Sequence, residues 1–325
     1  MARLPARGAA AKRLRPQINR ERIRRTLTFW LRPAFVLRTL NRFQRVAGFD
    51  RAIALASSAL TAMIPLAILA GAMLPQAGGK DAAQRIIDRY DLTGGGAEAV
   101  KDAFSPAAGT ETEISVVGVL LLVVAVLSFS RGAQRLFEQT WELKPLSVRN
   151  SVNGLLWIAG LIVYLGASGW VHGVLDVSRL QIGANLVLLP LSCAFLVWSG
   201  RLLTAKRIAY RGLIPFGAVG AVLLALYATG AAVYVPHLFS SYATRYGVIG
   251  AVFAMISALF CVMLVLVASA ALGREVSDEL ERIRSGERPP DDEVRREWDA
   301  VIAEGRSRWG VMREQIDRRR HRTAR

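Results

Sequence analysis

Cysteine and histidine are nearly missing from this sequence, and their scarcity removes most nucleophilic and metal chemistry at the outset. The 325 residues hold two cysteines, Cys193 and Cys261, and three histidines, His172, His237 and His321. Neither cysteine has a CxxC partner or a histidine at ligand spacing. A disulfide framework and a zinc site therefore drop out, and both cysteines read as small packing residues within apolar blocks. The histidines fall at the edges of those blocks or beyond them, where a solvated interface role is the ordinary one. Nucleotide-binding signatures are absent too: there is no Walker-type loop, no GxGxxG and no HExxH, and Gly94-Gly95-Gly96 precedes no lysine and reads as a flexible break. Charge is lacking where it would matter most. The deep interior of the apolar blocks contains no Asp, Glu, Lys, Arg or His, although a catalytic or proton-carrying group there would be costly enough to stand out. These absences predict a protein that is not an enzyme, with no catalytic residues, no metal and no cofactor.

What the sequence does contain is a conflict that only a bilayer resolves. Apolar residues make up 53% of the chain beside a formal net charge of +17, and the mean hydropathy is +0.32. The apolar residues are segregated into uninterrupted runs divided by charged segments. Crossing about 30 Å of hydrocarbon takes roughly 20 apolar residues in a helix, and six runs qualify, at about 52–74, 114–135, 151–171, 182–203, 213–234 and 248–272. The second is the shortest in its apolar part and carries Arg131 and Arg135 at its end, where long side chains snorkel toward headgroups. The expected class is therefore all-α, a polytopic bundle of six transmembrane helices. With six spans, 35 of the 42 Lys and Arg fall on one side and 6 on the other, with Arg51 at the boundary. Seven acidic residues in the 75–113 loop sharpen the asymmetry. The positive-inside rule then places both termini in the cytoplasm. The first long apolar run begins only after Asp50, so no cleavable signal sequence is expected.

Three segments follow from this division: a basic arm over 1–49, the membrane domain over 50–273 and a charged tail over 274–325. In the arm, Ile23, Leu27, Trp30, Leu31, Phe35 and Phe43 recur near helical spacing among Arg20, Arg22, Arg24, Arg25, Arg32, Arg38 and Arg42. That pattern predicts an interfacial amphipathic helix whose arginines lie on anionic lipid headgroups. The tail is too polar for a large core of its own, and Pro289-Pro290 should break it into two cytoplasmic helices. In the 75–113 loop, Ile86, Ile87, Tyr90 and Leu92 suggest a short amphipathic helix.

Two places in the spans carry polar groups worth weighing. Ser57, Thr61 and Pro65 recur every four residues with Ser58 beside them, which puts hydroxyls on one face of the first span. Packing through small residues, with hydroxyls bonded back to the helix's own carbonyls, is the ordinary account of such a stripe; a polar substrate path is the functional one. At the end of the second span Arg131 and Arg135 share a face with Gln134 close by. Snorkelling anchors explain them, and a mouth that attracts an anion or a lipid headgroup is the alternative. Glu275, just past the last span, either pairs with these arginines or opens a solvated tail.

The order of motifs resembles the YihY/BrkB family of bacterial inner-membrane proteins, known also as envelope integrity or virulence factor proteins, over roughly 43–278. The resemblance rests on Phe49-Asp50-Arg51 entering a small-residue span, on the run from Arg131 to Trp141, and on Leu213-Ile214-Pro215 with Gly217-Ala218. It rests further on Tyr246-Gly247-Val248-Ile249-Gly250-Ala251 and on Gly273-Arg274-Glu275. Ser57-Ser58 stand where that family often has tyrosines, so a tyrosine-based role does not carry over. The resemblance implies six spans with cytoplasmic termini in the bacterial inner membrane and marks Asp50, Arg51, Trp141, Pro215, Tyr246, Gly247, Gly250 and Glu275 as motif positions. An old ribonuclease label on the family finds no metal-binding carboxylate or histidine cluster in this sequence to support hydrolysis. Links to lipid export imply a transporter or translocator that lacks an ATP site. The reading from another class is a structural or assembly protein for envelope integrity. Membrane lipids with anionic headgroups and envelope proteins are the expected partners, and no specific nucleic acid is.

Overall fold

A computed structural model of the chain describes residues 25–26, 28–73, 84, 87, 97–98, 101, 116–146, 151–175, 181–287, 290, 292–303 and 306. The described elements are helical throughout: a 3₁₀ turn at Phe29–Leu31, then α1 (Pro33–Arg45), α2 (Gly48–Met73), α3 (Val116–Thr140), α4 (Ser151–Leu175), α5 (Gln181–Leu203) and α6 (Tyr210–Ser285). Residues 293–303 add a further helical stretch. Two compact units result. One joins residues 1–45 to 275–325, and the other runs from Val46 to Arg274.

Five stretches among the described residues are long and apolar enough to cross a membrane: Leu120–Thr140, Val152–Gly173, Leu186–Leu203, Tyr210–Tyr242 and Val252–Ser285. The expected sixth, in α2, is a 26-residue helix that is not among these five. The expected break between the last two spans also differs. The fifth run is expected to end near 234, yet helix continues past it through Pro236, and the non-helical residue is Gly247, at φ 59° and ψ −138°. That combination is open essentially to glycine alone. Proline weakens a helix by removing one N–H, whereas Gly247 redirects the chain outright.

Small residues set how closely helices approach in the larger unit, because lipid offers no hydrophobic drive for helices to associate and close packing must supply it. The two arms of α6 meet at Phe216 and Gly273, where a Cβ on residue 273 would lie 2.3 Å from the Phe216 Cα. The Tyr227 hydroxyl donates to the Ala258 carbonyl across the same pair at 3.1 Å. Phe216 also meets Phe137 edge-on at 5.2 Å and Trp141 at 5.9 Å, which fastens α6 to the end of α3. Between α4 and α5, the Tyr164 ring stacks on Phe195 at 4.4 Å, and its hydroxyl shares a 2.8 Å hydrogen bond with Ser192. Ile87 is helical and buried in a cluster with Val235, Leu238 and Phe239. The other residues of the expected loop helix, Ile86, Tyr90 and Leu92, lie outside the described residues.

The smaller unit corrects the reading of the arm. A helix forms at Pro33–Arg45, with proline at its first position, where the missing N–H costs nothing. Its buried side presents Ala34, Phe35, Arg38 and Asn41, while Trp30, Leu31, Val36 and Leu40 are exposed. Arg38, assigned by periodicity to lipid headgroups, is thus an interior residue of this unit. Gly286, at φ 78°, ends α6 ahead of the proline pair. The Glu287 N–H returns to the Arg282 carbonyl at 3.1 Å, the six-to-one bond of a glycine-terminated helix.

Candidate functional site

Within the larger unit, the crossing of α2 with α3 adds Arg51, from α2, to the α3 arginines on which the anion reading rests. A Cβ on Gly132 would come within 3.0 Å of the Leu55 side chain and 3.9 Å of the Ser58 hydroxyl. The next turn of each antiparallel helix beyond that contact places Arg51 on α2 against Arg135 on α3. Arg51 is partly buried, and its charge and that of Arg135 act on each other. Its Nε is buried with no hydrogen-bond partner. Arg131 and Arg135 are exposed. Among the described residues no carboxylate pairs with Arg51, Arg131 or Arg135. Asp50, next to Arg51 in sequence, is exposed.

Gln134 stands apart from these arginines. It is buried and donates to the Glu138 carboxylate at 2.9 Å. Glu138, itself 4% exposed, accepts the Leu146 N–H at 2.8 Å and Arg207 at 3.3 Å. Arg207 also reaches the Lys144 carbonyl. One buried carboxylate thereby ties the segment after α3 to the turn between α5 and α6. Glu138 is absent from the sequence-predicted site, although it lies four residues after Gln134, the spacing that puts two side chains on one helical face.

The hydroxyl stripe is less assembled. Ser57 and Thr61 are exposed and Ser58 is partly buried. The Thr61 hydroxyl donates to the Ser57 carbonyl and the Ser58 hydroxyl to that of Leu55, each at 3.0 Å. These are bonds back into the same helix, the arrangement of the packing account. Pro65 belongs to α2, with its side chain outside the described residues. Of the remaining motif positions, Trp141 is buried against Phe137 and Phe216, Pro215 lies within α6, and Tyr246 is exposed beside the kink.

Glu275 takes neither expected role. It lies in the smaller unit, 2% exposed, where it accepts the Arg38 Nε at 2.6 Å and the Arg42 Nε at 3.2 Å. Arg38 also meets Glu279 at 2.7 Å and pairs with Glu293, so each of its three nitrogens finds a carboxylate. Asp278 holds Arg42 at 2.7 Å, and Asn41 donates to the Glu297 carboxylate at 2.7 Å. The partners of Arg38 lie 237 to 255 residues away in sequence, a separation that no local pattern bridges. A cleft of about 490 Å³ beside this network is lined by Arg25, Arg282, Arg296 and four glutamates. No group of three or more His, Cys, Asp or Glu among the described residues is arranged to hold a metal ion.

A family model described as virulence factor BrkB matches residues 39–294. The chain belongs to that family. Neither the curated proteins nor the solved structures contain a match to it.

Proposed function

We propose that this BrkB-family chain is an integral protein of the bacterial inner membrane that moves an anionic lipid or solute without ATP. In this reading α2 supplies the sixth span, both termini are cytoplasmic, and Arg131 and Arg135 attract the anion at the cytoplasmic mouth. The observation that carries it is the set of arginines at the α2–α3 crossing with no carboxylate partner among the described residues. By contrast, Arg38 and Arg207 each meet a buried carboxylate. An arginine cluster left without acid at headgroup depth is suited to an anion that comes and goes. The exposed Ser57 and Thr61 on α2 then offer a polar edge from the mouth toward the bilayer interior.

The test is translocation of a headgroup-labelled anionic lipid in proteoliposomes. Arg131→Ala combined with Arg135→Ala should abolish movement and leave the protein folded; wild-type rates in that variant would remove the mouth from the proposal.

A second reading, a structural or assembly role in envelope integrity, draws on the smaller unit. There the arm and the tail build a charged body, and Val294 and Trp298, one helical turn apart, are both exposed. Deletion of the arm or tail should then destroy function, while changes at Ser57 or Thr61 do little.

A further inference from the structure

The proposed mouth rests on Arg131 and Arg135, which periodicity alone groups together. The helix crossing adds a third cation from a different element, and that addition decides what kind of ligand fits. Arg131 and Arg135 lie on one face of α3 and point outward together, so they can attract an anion but cannot enclose it. Arg51 approaches from α2, one turn beyond the Leu55–Gly132 contact, partly buried and with a buried Nε left unbonded. Two guanidiniums on adjacent turns of crossing helices repel when no acid lies between them, and partial burial weakens the screening by water. The arrangement becomes favourable once an anion with several oxygens lies between them. Each guanidinium presents a planar fork of N–H donors suited to two oxygens at once. A tetrahedral phosphate has oxygens enough to meet both forks in pairs, whereas a carboxylate has only two to divide between them, as Glu275 does between Arg38 and Arg42.

We infer that Arg51 and Arg135, brought together by the α2–α3 crossing, form a two-armed binding site for a phosphate group. This deepens the proposed function by naming the chemistry of the ligand at the mouth, and it rests on that reading for the ligand's onward movement only; binding stands or falls separately. The phosphate can belong to a lipid headgroup or to a soluble ion, and the α2–α3 geometry suits both.

The experiment uses the full chain purified in a maltoside detergent, which brings no phosphate of its own. Binding is read by microcalorimetry with two probes, short-chain phosphatidylglycerol and inorganic phosphate, and melting temperature is followed with and without each. Arg51→Gln and Arg135→Gln should each weaken binding about tenfold or more, as loss of a charge-assisted hydrogen bond implies. Arg211→Gln, at an exposed arginine on α6, should leave it unchanged. Arg51→Gln should also raise the melting temperature of the ligand-free protein, because repulsion is relieved, while cancelling the rise that ligand produces in the wild type. Binding of the lipid alone identifies a headgroup site, and binding of inorganic phosphate identifies a site for soluble anions. Either supports the inference if both arginines are needed. Absence of binding by both probes, or equal binding by wild type and both variants, overturns it. Binding that needs both arginines in a protein that moves no lipid in proteoliposomes would keep the site and refute the transport reading.

Discussion

Replacing Arg38 tests whether the smaller unit is held by compensated charge. Its side chain is 9% exposed, and those of its partners Glu275, Glu279 and Glu293 are 3%, 5% and 14% exposed. Arg38→Met keeps most of the aliphatic stem and removes the guanidinium, leaving carboxylates in the interior that, among the described residues, Arg42 and Arg282 still reach. Breaking a buried ion pair from one side costs about 3–5 kcal/mol, because the surviving charge keeps its desolvation penalty without its partner. Folded domains have only about 5–15 kcal/mol in hand, so the loss should be visible without denaturant. Hydrogen exchange of the protein in detergent, read at the amides of α1 and of 275–285, should show protection falling about a hundredfold or more in Arg38→Met. Adding Glu275→Gln and Glu279→Gln to that variant removes the orphaned charge and should restore much of the protection. Unchanged exchange in Arg38→Met would refute the reasoning, and so would a triple variant as damaged as the single one, since lost packing would then explain the effect.

The same network sets its own pH response. Burial pulls the Arg38 pKa down, but the hydrogen bond to Glu275 and the charges of Glu275, Glu293 and Glu279 outweigh it, and the net shift is upward. A cation whose folded pKa exceeds its unfolded one contributes stability that is complete below the unfolded value. That stability is lost only as pH rises through the folded value. Between roughly pH 6 and 9 the Arg38 contribution should therefore be flat.

Three further outcomes follow from the larger unit. Glu138→Ala should cost about 1–3 kcal/mol by removing the acceptor shared by the Leu146 N–H, Gln134 and Arg207, and protease cleavage within 143–146 should accelerate while cleavage elsewhere does not. Gly273→Val places a side chain into the Phe216 backbone and should lower the melting temperature in detergent by more than Gly166→Val, where a Cβ has open space. Tyr164→Phe and Ser192→Ala each break the same hydroxyl pair, so their effects should be non-additive by about 0.6 kcal/mol in a double-mutant cycle, the usual size for such bonds between membrane helices.

How far the chain could be read from its sequence depended on whether a signal was local. Apolar run length located the helices well, because a bilayer imposes the same length on every span and needs no tertiary information. Helix runs on through Pro236, since proline strains a helix without ending it, while the residue that turns the chain is the motif glycine Gly247. Gln134 was grouped with the nearest arginines when its partner was the carboxylate four residues on, a local signal that was present and passed over. The Arg38 partners offered no such signal, because they lie across the whole length of the membrane domain in sequence.

Pairing of this kind has a physical consequence for how the basic arm meets lipid. Counting Lys and Arg predicts topology because the count ignores what each charge touches. Attraction to an anionic surface does not ignore it, since a cation already paired with carboxylates presents little net field beyond a Debye length. Arg38 and Arg42 are paired in this way, whereas Arg45 is exposed and has no carboxylate partner among the described residues. If the arm binds anionic membrane through its free cations, Arg45→Gln should reduce binding of the detergent-solubilised protein to phosphatidylglycerol vesicles at low salt. Arg42→Gln should reduce it less, although it removes the same formal charge from the same helix. Equal losses from the two substitutions would mean that the arm acts by total charge, and that the pairing seen in the smaller unit does not shield its arginines from lipid.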